Sequence, residues 1–404
     1  MNIFIIPSWY PSPQHPYAGI FFREQAESFA QYFQEDNIGI SHWGQNDERF
    51  LLWSKDRLKN LRKLYSSEKT PSSRNELKPN CIEYFKPAFT WTRKILKGNI
   101  NSILKSNLNN LKSFEKEFGK ANILLAHVSY PAGFIAHKIS LKKNIPYIIV
   151  EHMSPFPFMD FLDKKGNLIP QLKMAYTNSN SLMAVSKGLK SKMERYIGYP
   201  VSVLNNFIDD QSFIPLKRPT DSQNLKLLSV GRLEHQKGYD ILIKSIAQLD
   251  ISYLSLELIG IGSEENALMD LANNLRLAEV LSIRGEMDKN EIIKALQKCD
   301  LFILSSRHES FGVVVLEALA CGKPCIVTTC GGPEEIISEE VGLVVEKENP
   351  KALAEAIVYM VENIEKYPPK KIRKYYEDHF SARETVKKLK GIYQNVIDEY
   401  SLKT

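Results

Sequence analysis

Arg307-His308-Glu309-Ser310-Phe311-Gly312-Val313-Val314-Val315-Leu316-Glu317-Ala318 follows directly on Leu301-Phe302-Ile303-Leu304 and a serine pair. Four consecutive apolar residues bounded by polar ones read as a strand buried on both faces, as in a parallel sheet. Ser305 to Ser310 form a polar turn, and the helix that follows is ended by Gly322 and Pro324. A ligand at the end of such a strand meets the free N–H groups of Phe311, Gly312 and Val313, which together with the helix dipole favour a phosphate. Glu309 falls on the turn and Glu317, eight residues later, inside the helix, so the two carboxylates can address different parts of one ligand. Taken alone, that spacing also fits a solvated helix face or a helix-start charge.

A second strand–loop–helix lies upstream. Leu225-Lys226-Leu227-Leu228-Ser229-Val230 reads as a strand, Gly231-Arg232-Leu233-Glu234-His235-Gln236-Lys237-Gly238 as a loop, and Tyr239 to Leu249 as an amphipathic helix. Arg232 offers a planar fork suited to phosphate oxygens, and Lys237 a mobile point charge. The loop sits at the end of an open α/β sheet where nucleotides bind.

These two segments resemble the E-x7-E motif and the G-R-L-x-x-x-K-G signature of the retaining glycosyltransferases of family 4, which have the GT-B fold. The resemblance implies an α/β chain of two Rossmann-like domains, their parallel sheets facing across a cleft, with a C-terminal helix crossing back to the N-terminal domain. It implies that Arg232 and Lys237 grip the donor diphosphate with the amides of Phe311, Gly312 and Val313. Glu317 would then hold the donor ribose and Glu309 the transferred sugar. Gly19, before the first helix, matches a family glycine at the diphosphate. His152, just past the strand Tyr147 to Val150, matches a family histidine that contacts the sugar or supports the acceptor. His127, after the preceding strand, competes for that role. Gly285, Met287, Gly331 and Gly332, in loops at the same end of the C-terminal sheet, complete the candidates.

Length and composition agree with a two-domain reading. The chain has 404 residues, 43% apolar and 25% charged, a globular composition too long for one ordinary core. Its apolar runs are far too short to span a bilayer, and Met1-Asn2-Ile3-Phe4-Ile5-Ile6-Pro7 reads as a first strand rather than a signal peptide. A cytoplasmic protein is expected. The cysteines, Cys81, Cys299, Cys321, Cys325 and Cys330, form no C-x-x-C pair and read as buried thiols. No metal or other cofactor is expected, and no D-x-D motif is present.

The net charge of +6 is unevenly placed: between Lys55 and Lys120, 16 Lys or Arg stand against 6 Asp or Glu. Phe50 to Leu64 and Ile95 to Phe114 can each form a basic amphipathic helix, suited to an anionic membrane surface or to ordinary packing. Nucleic acid is not an expected partner, because no basic and aromatic stacking platform is present.

Along the chain, strands are expected at Ile3 to Pro7, Asn122 to Leu125, Tyr147 to Val150, Leu182 to Ser186 and Val201 to Leu204. Those of the C-terminal half fall at Leu225 to Val230, Ser255 to Ile259, Val280 to Ile283, Leu301 to Leu304, Cys325 to Thr328 and Gly342 to Val345. Asn205-Asn206-Phe207-Ile208-Asp209 resembles the family's interdomain P-N-G-[IV]-D, with Asn205 for the proline and Phe207 for the glycine. The expected domains are 1–205 with the crossover helix 382–404, a linker at 206–224, and 225–381. Gly260-Ile261-Gly262 half-matches a dinucleotide fingerprint, with Glu265 where the third glycine belongs.

The resemblance makes the expected reaction transfer of a sugar from a nucleoside diphosphate donor, UDP by family frequency, to a hydroxyl of a glycan or lipid-linked acceptor. A nucleotide-sugar 2-epimerase, a dehydrogenase and a non-catalytic binding protein are the competing readings.

Overall fold

The computed structural model describes residues 1–13, 15–45, 50, 71–90, 99–216, 225–249 and 254–403. They divide into two compact units, one of Met1–Val185, Lys190–Leu204 and Arg383–Thr404, the other of Ser186–Leu189 and Asn205–Ala382.

The first unit is built on strands β1 (Asn2–Pro7), β2 (Asn37–His42), β3 (Ser73–Lys78), β4 (Cys81–Phe85), β5 (Ile123–His127), β6 (Tyr147–Glu151), β7 (Ser181–Ala184) and β8 (Ser202–Val203). They form one sheet in the order β3-β4-β2-β1-β5-β6-β7-β8, parallel except where β3 runs against β4. Its helices are α1 (Ile20–Tyr32), α2 (Ile100–Phe118), α3 (Phe134–Lys143), α4 (Pro170–Thr177) and α5 (Lys187–Ile197). β1, β5 and β6 are apolar nearly throughout because both faces are covered, as a parallel sheet with helices on each side requires.

Helix α2 contains the described part of the segment expected at 95–114. It turns Ile103, Leu104, Leu111 and Phe114 into the core, where the Phe114 ring lies 5.6 Å from Phe4 and 6.0 Å from Tyr84. Its buried Asn107 and Asn110 are satisfied by Ser41, whose Oγ donates to Asn107 Oδ1 at 2.7 Å and accepts from Asn110 Nδ2 at 3.0 Å. The apolar face of this helix is therefore spent on the sheet and not on a membrane. The other basic helix, expected at 50–64, lies outside the described residues apart from Phe50.

The second unit has strands β9 (Leu225–Val230), β10 (Leu254–Ile259), β11 (Leu281–Ile283), β12 (Leu301–Leu304), β13 (Cys325–Thr328) and β14 (Gly342–Val345). They are wholly parallel, in the order β11-β10-β9-β12-β13-β14. Helices α6 (Tyr239–Ile246), α7 (Glu265–Asn274), α8 (Lys289–Lys298), α9 (Val313–Ala320), α10 (Pro350–Glu362) and α11 (Pro369–Phe380) accompany it. The last helix, α12 (Ala382–Ser401), belongs almost wholly to the first unit, where Lys390 pairs with Asp36 at 2.9 Å and the Tyr393 ring lies 5.6 Å from Phe29.

The stretch 206–216, expected as the start of a linker, is instead packed into the second unit. Phe207, Ile208 and Phe213 are buried, and Arg373 Nη1 donates to the Phe213 carbonyl at 2.6 Å. Residues 217–224 lie outside the described set.

Each sheet has one point where strand order reverses, between β1 and β5 in the first unit and between β9 and β12 in the second. Loops leaving such neighbouring strands in opposite directions open a crevice at the carboxyl ends, where ligands of open α/β sheets bind. Phe114→Ala removes the ring that fills the space between α2 and the first sheet. We expect a loss of about 3–5 kcal/mol, read as a lower urea midpoint for the first unit's unfolding.

Candidate functional site

The loops after β9 and β12 are stitched together at the second unit's reversal point. Gly238 caps α6 with φ +64, and a Cβ there would sit 2.2 Å from the Ser305 carbonyl oxygen, so only glycine lets the two backbones meet. Ser305 Oγ donates to the Lys237 carbonyl at 3.0 Å, and Gln236 Nε2 to that of His308 at 2.7 Å. The Arg307 N–H donates to the Gln236 carbonyl at 2.8 Å. The Arg307 side chain is the strongest tie. Buried at 8% exposure, it forks onto Asp240 at 2.7 and 3.0 Å, donates to the His235 carbonyl at 2.7 Å, and pairs through Nε with Glu348 beyond β14. One guanidinium thus fixes three loops.

On this frame the Lys237 ammonium is ion-paired with the Glu309 carboxylate, which also accepts from Ser306 Oγ at 3.2 Å. Both side chains are largely out of water, at 16% and 12% exposure. Arg232 stands exposed on the same loop as Lys237. Phe311 is buried, Gly312 caps α9 with φ +88, and Val313 opens that helix, with half-buried Glu317 further along it. Gly331 and Gly332 follow β13 alongside. The Gly331 N–H donates to Glu334 at 2.9 Å, and the Cys330 carbonyl accepts from the Glu309 N–H at 3.1 Å.

The first unit gathers its own candidates at its reversal point. Gly19 caps α1 with φ +72 against Trp9. Phe21 and Phe22, in the first turn of α1, cover the histidines: Phe22 stacks on His127 at 4.3 Å, and Phe21 lies 5.4 Å from His152. His127 Nδ1 and His152 Nε2 are 3.1 Å apart, one ring donating to the other, and both rings are buried. Burial pushes the His127 pKa down to about 3 and that of His152 well below its ordinary value, the latter with a further contribution from His127. Both imidazoles are therefore neutral near pH 7.

Residues 210–377, nearly the whole second unit, match the family model of the glycosyl transferases group 1. TuaC of Bacillus subtilis, named for teichuronic acid biosynthesis, is 25% identical over 98% of this chain and 99% of its own. The glycosyltransferase MJ1178 of Methanocaldococcus jannaschii is 29% identical over 69% of this chain and 76% of its own. By sequence the second unit is thus similar to the glycosyl transferases group 1.

The chain's fold matches that of HepE of Anabaena, solved with UDP and with UDP-glucose. With UDP, the TM-score is 0.69 at 16% identity, over 98% of this chain and 100% of that one. The remaining candidates take separate places. Gly285 accepts from the Gly260 N–H at 2.8 Å at the ends of β10 and β11. Met287 instead lines a cavity of about 310 Å³ with Lys226, Leu228, Arg284 and Lys298, a lining that includes neither Lys237 nor Glu309. The half-matched fingerprint at Gly260 and Gly262 has a packing cause. A Cβ at those positions would lie 2.0 Å from the Gly231 carbonyl oxygen and 2.2 Å from that of Leu233. All five cysteines are free and buried. Among the described residues no three His, Cys, Asp or Glu side chains converge in a metal-holding group.

Sequence reading passed over Arg307, although it opens the decisive stretch, because its partners Asp240 and Glu348 are distant in sequence. It also passed over Glu151, a wholly buried acid whose one signal is its position at the end of an apolar strand.

The buried histidines make stability depend on pH. Below about 6.5 the unfolded chain binds protons that folded His127 refuses until about pH 3. Its stabilising contribution is therefore complete above that upper value and falls by about 1.4 kcal/mol per pH unit as acid is added. His42, pushed down to about 4 by burial, acts in the same sense. Urea-unfolding free energy should fall between pH 7 and pH 5, and His127→Phe should make that slope shallower by about one proton; an unchanged slope would contradict the neutral assignment.

Proposed function

We propose that the chain transfers a sugar from a nucleoside diphosphate sugar, with UDP as the carrier, to a hydroxyl of a glycan or lipid-linked acceptor, retaining the anomeric configuration. The observation that carries this reading is the Lys237–Glu309 pair held between the β9 and β12 loops where the second sheet's strand order reverses. A cation and a carboxylate side by side suit a diphosphate joined to a polyhydroxylated sugar: the cation takes the phosphate and the carboxylate the hydroxyls. UDP is favoured because HepE, of the same fold, was solved with UDP-glucose. A role in surface polysaccharide synthesis is favoured by the name of TuaC.

In this reading the leaving diphosphate gathers negative charge while the sugar becomes oxocarbenium-like. Arg232, Lys237 and the amides of Phe311, Gly312 and Val313 stabilise that charge from fixed positions, a contribution of several kcal/mol on the order usual for preorganised donors. Glu317 accepts from the donor's ribose hydroxyls, and Glu309 holds the transferred sugar. Gly19 and His152 are assigned by the same reading to the diphosphate and to the transferred sugar or acceptor. The acceptor attacks on the face the diphosphate leaves, and a donor phosphate oxygen takes its proton, so no protein nucleophile is assigned. The charge is assigned to the chain's own cations and amides rather than to a bound metal.

We place the protein in the cytoplasm, with contact to an anionic membrane through the basic region 55–120, of which 71–90 and 99–120 are among the described residues. Among the described residues no helix is long and apolar enough to cross a membrane.

The test is a transfer assay with radiolabelled UDP-sugars and a lipid-linked or glycan acceptor, run beside an acceptor-free control. Release of free sugar without acceptor would point instead to an epimerase-like reaction. Glu317→Ala should weaken UDP binding about tenfold with a smaller effect on kcat. Glu309→Gln should lower kcat by about 100-fold or more while UDP binds as tightly or tighter, because Lys237 loses its competing partner. Equal losses of affinity in both variants, with kcat intact, would contradict the assigned roles.

A further inference from the structure

The carboxyl end of the first sheet holds a polar assembly that the donor reading does not use. Behind the two histidines lies Glu151, with no exposed surface. Its Oε1 accepts from the N–H groups of His152 at 2.9 Å and Met153 at 3.0 Å. Its Oε2 accepts from the Ser129 N–H at 3.1 Å and the Tyr176 hydroxyl at 2.7 Å, with Ser129 Oγ 2.7 Å from the same hydroxyl. Ser129 and His152 open the two loops that follow β5 and β6, so one buried side chain locks both loop starts together. Between His127 and Ser129, Val128 adopts φ +73, a conformation costing a β-branched residue about 1–3 kcal/mol. It is held there by its N–H to the Val150 carbonyl at 2.8 Å and by its own carbonyl, which accepts from Gly133 at 3.1 Å. Strain of this kind persists only where the surroundings over-determine it.

What this frame fixes is the relation of two rings. A neutral imidazole has one donor nitrogen and one acceptor nitrogen. With His152 Nε2 committed to His127 Nδ1 at 3.1 Å, the proton on that bond decides whether His152 Nδ1 is a donor or an acceptor. Phe21 and Phe22 against the rings prevent rotation out of that bond.

We propose that His127 is a positioning residue for His152: it sets the tautomer and ring orientation with which His152, as a neutral hydrogen-bonding group, meets the reacting sugars. The two histidines then act as one pair and not as competitors for one role. The proposal rests on the glycosyl-transfer reading for its kinetics but not for its spectroscopy.

The test uses the full-length protein labelled with ¹⁵N-histidine. Two-bond ¹H–¹⁵N correlation should show His152 as a single neutral tautomer between about pH 6 and pH 8. His127→Phe should break that into mixed tautomers. His127→Asn, whose amide can stand where Nδ1 stands, should keep one tautomer, whereas His127→Gln, which mimics Nε2, should not. In the transfer assay His127→Phe and His127→Gln should lower kcat about tenfold or more, the worth of one directed hydrogen bond, with donor KM within about twofold. His127→Asn should recover most of the rate. A variant pair equally slow with His152 signals unmoved would mean a purely structural role and overturn the proposal, as would wild-type kcat in His127→Phe. Were the Phe variant not to fold, the Asn and Gln variants decide the matter by the same contrast. Absence of transfer from every donor would overturn the glycosyl-transfer reading, and the tautomer measurements would still decide the pair.

Discussion

The arrangement around Lys237 and Glu309 depends on one buried guanidinium. Arg307 is taken out of water with its fork filled by Asp240, its Nε paired with Glu348 and a further bond to the His235 carbonyl. A buried charge is tolerable only when paired and hydrogen-bonded, and breaking such a pair typically costs about 3–5 kcal/mol. Because those partners lie on the β9–α6 connection with the first turn of α6, and on the loop after β14, meeting that requirement also sets where both lie against Arg307's own loop. Lys237 lies between His235 and Asp240, and Glu309 two residues past Arg307, so both inherit its geometry. The rigidity of the ion pair is thus borrowed from a residue that itself has no assigned contact with substrate.

The second constraint is topological. In both sheets the strand order reverses beside the first strand of the unit, and there the candidate residues collect: Gly19, His127 and His152 in one, Arg232, Lys237, Glu309 and the start of α9 in the other. The two groups differ in chemistry. The second unit's group is ionic and suits phosphate and sugar hydroxyls. The first unit's group sets imidazoles kept uncharged by burial beside a buried carboxyl that accepts from four donors.

The second unit was readable because its strands are short apolar runs set between turn residues. Leu225–Val230, Leu301–Leu304, Cys325–Thr328 and Gly342–Val345 fall where their patterns put them. In the first unit, β2 to β4 escaped the pattern. Asn37–His42 is broken by Gly39, and Ser73–Lys78 is a polar edge strand mostly in water, carrying no alternation to detect. Residues 206–213 looked like a linker because local composition says nothing of Arg373, far along the chain, which binds their carbonyls. Motif residues could be picked out singly, but not the ties among them. The bond between His127 and His152, the enclosure of Glu151 and the three-loop grip of Arg307 are all long-range, and no window of sequence holds both partners.

The most direct measurement is isothermal titration of the purified protein with UDP and other nucleoside diphosphates, beside an Arg232→Ala, Lys237→Ala double variant. The account predicts saturable one-to-one binding of at least one nucleoside diphosphate. It also predicts weakening by about 100-fold in the variant, as loss of two charge-assisted contacts implies. Binding of none, or equal binding by both proteins, would contradict a donor site at the second unit's reversal point.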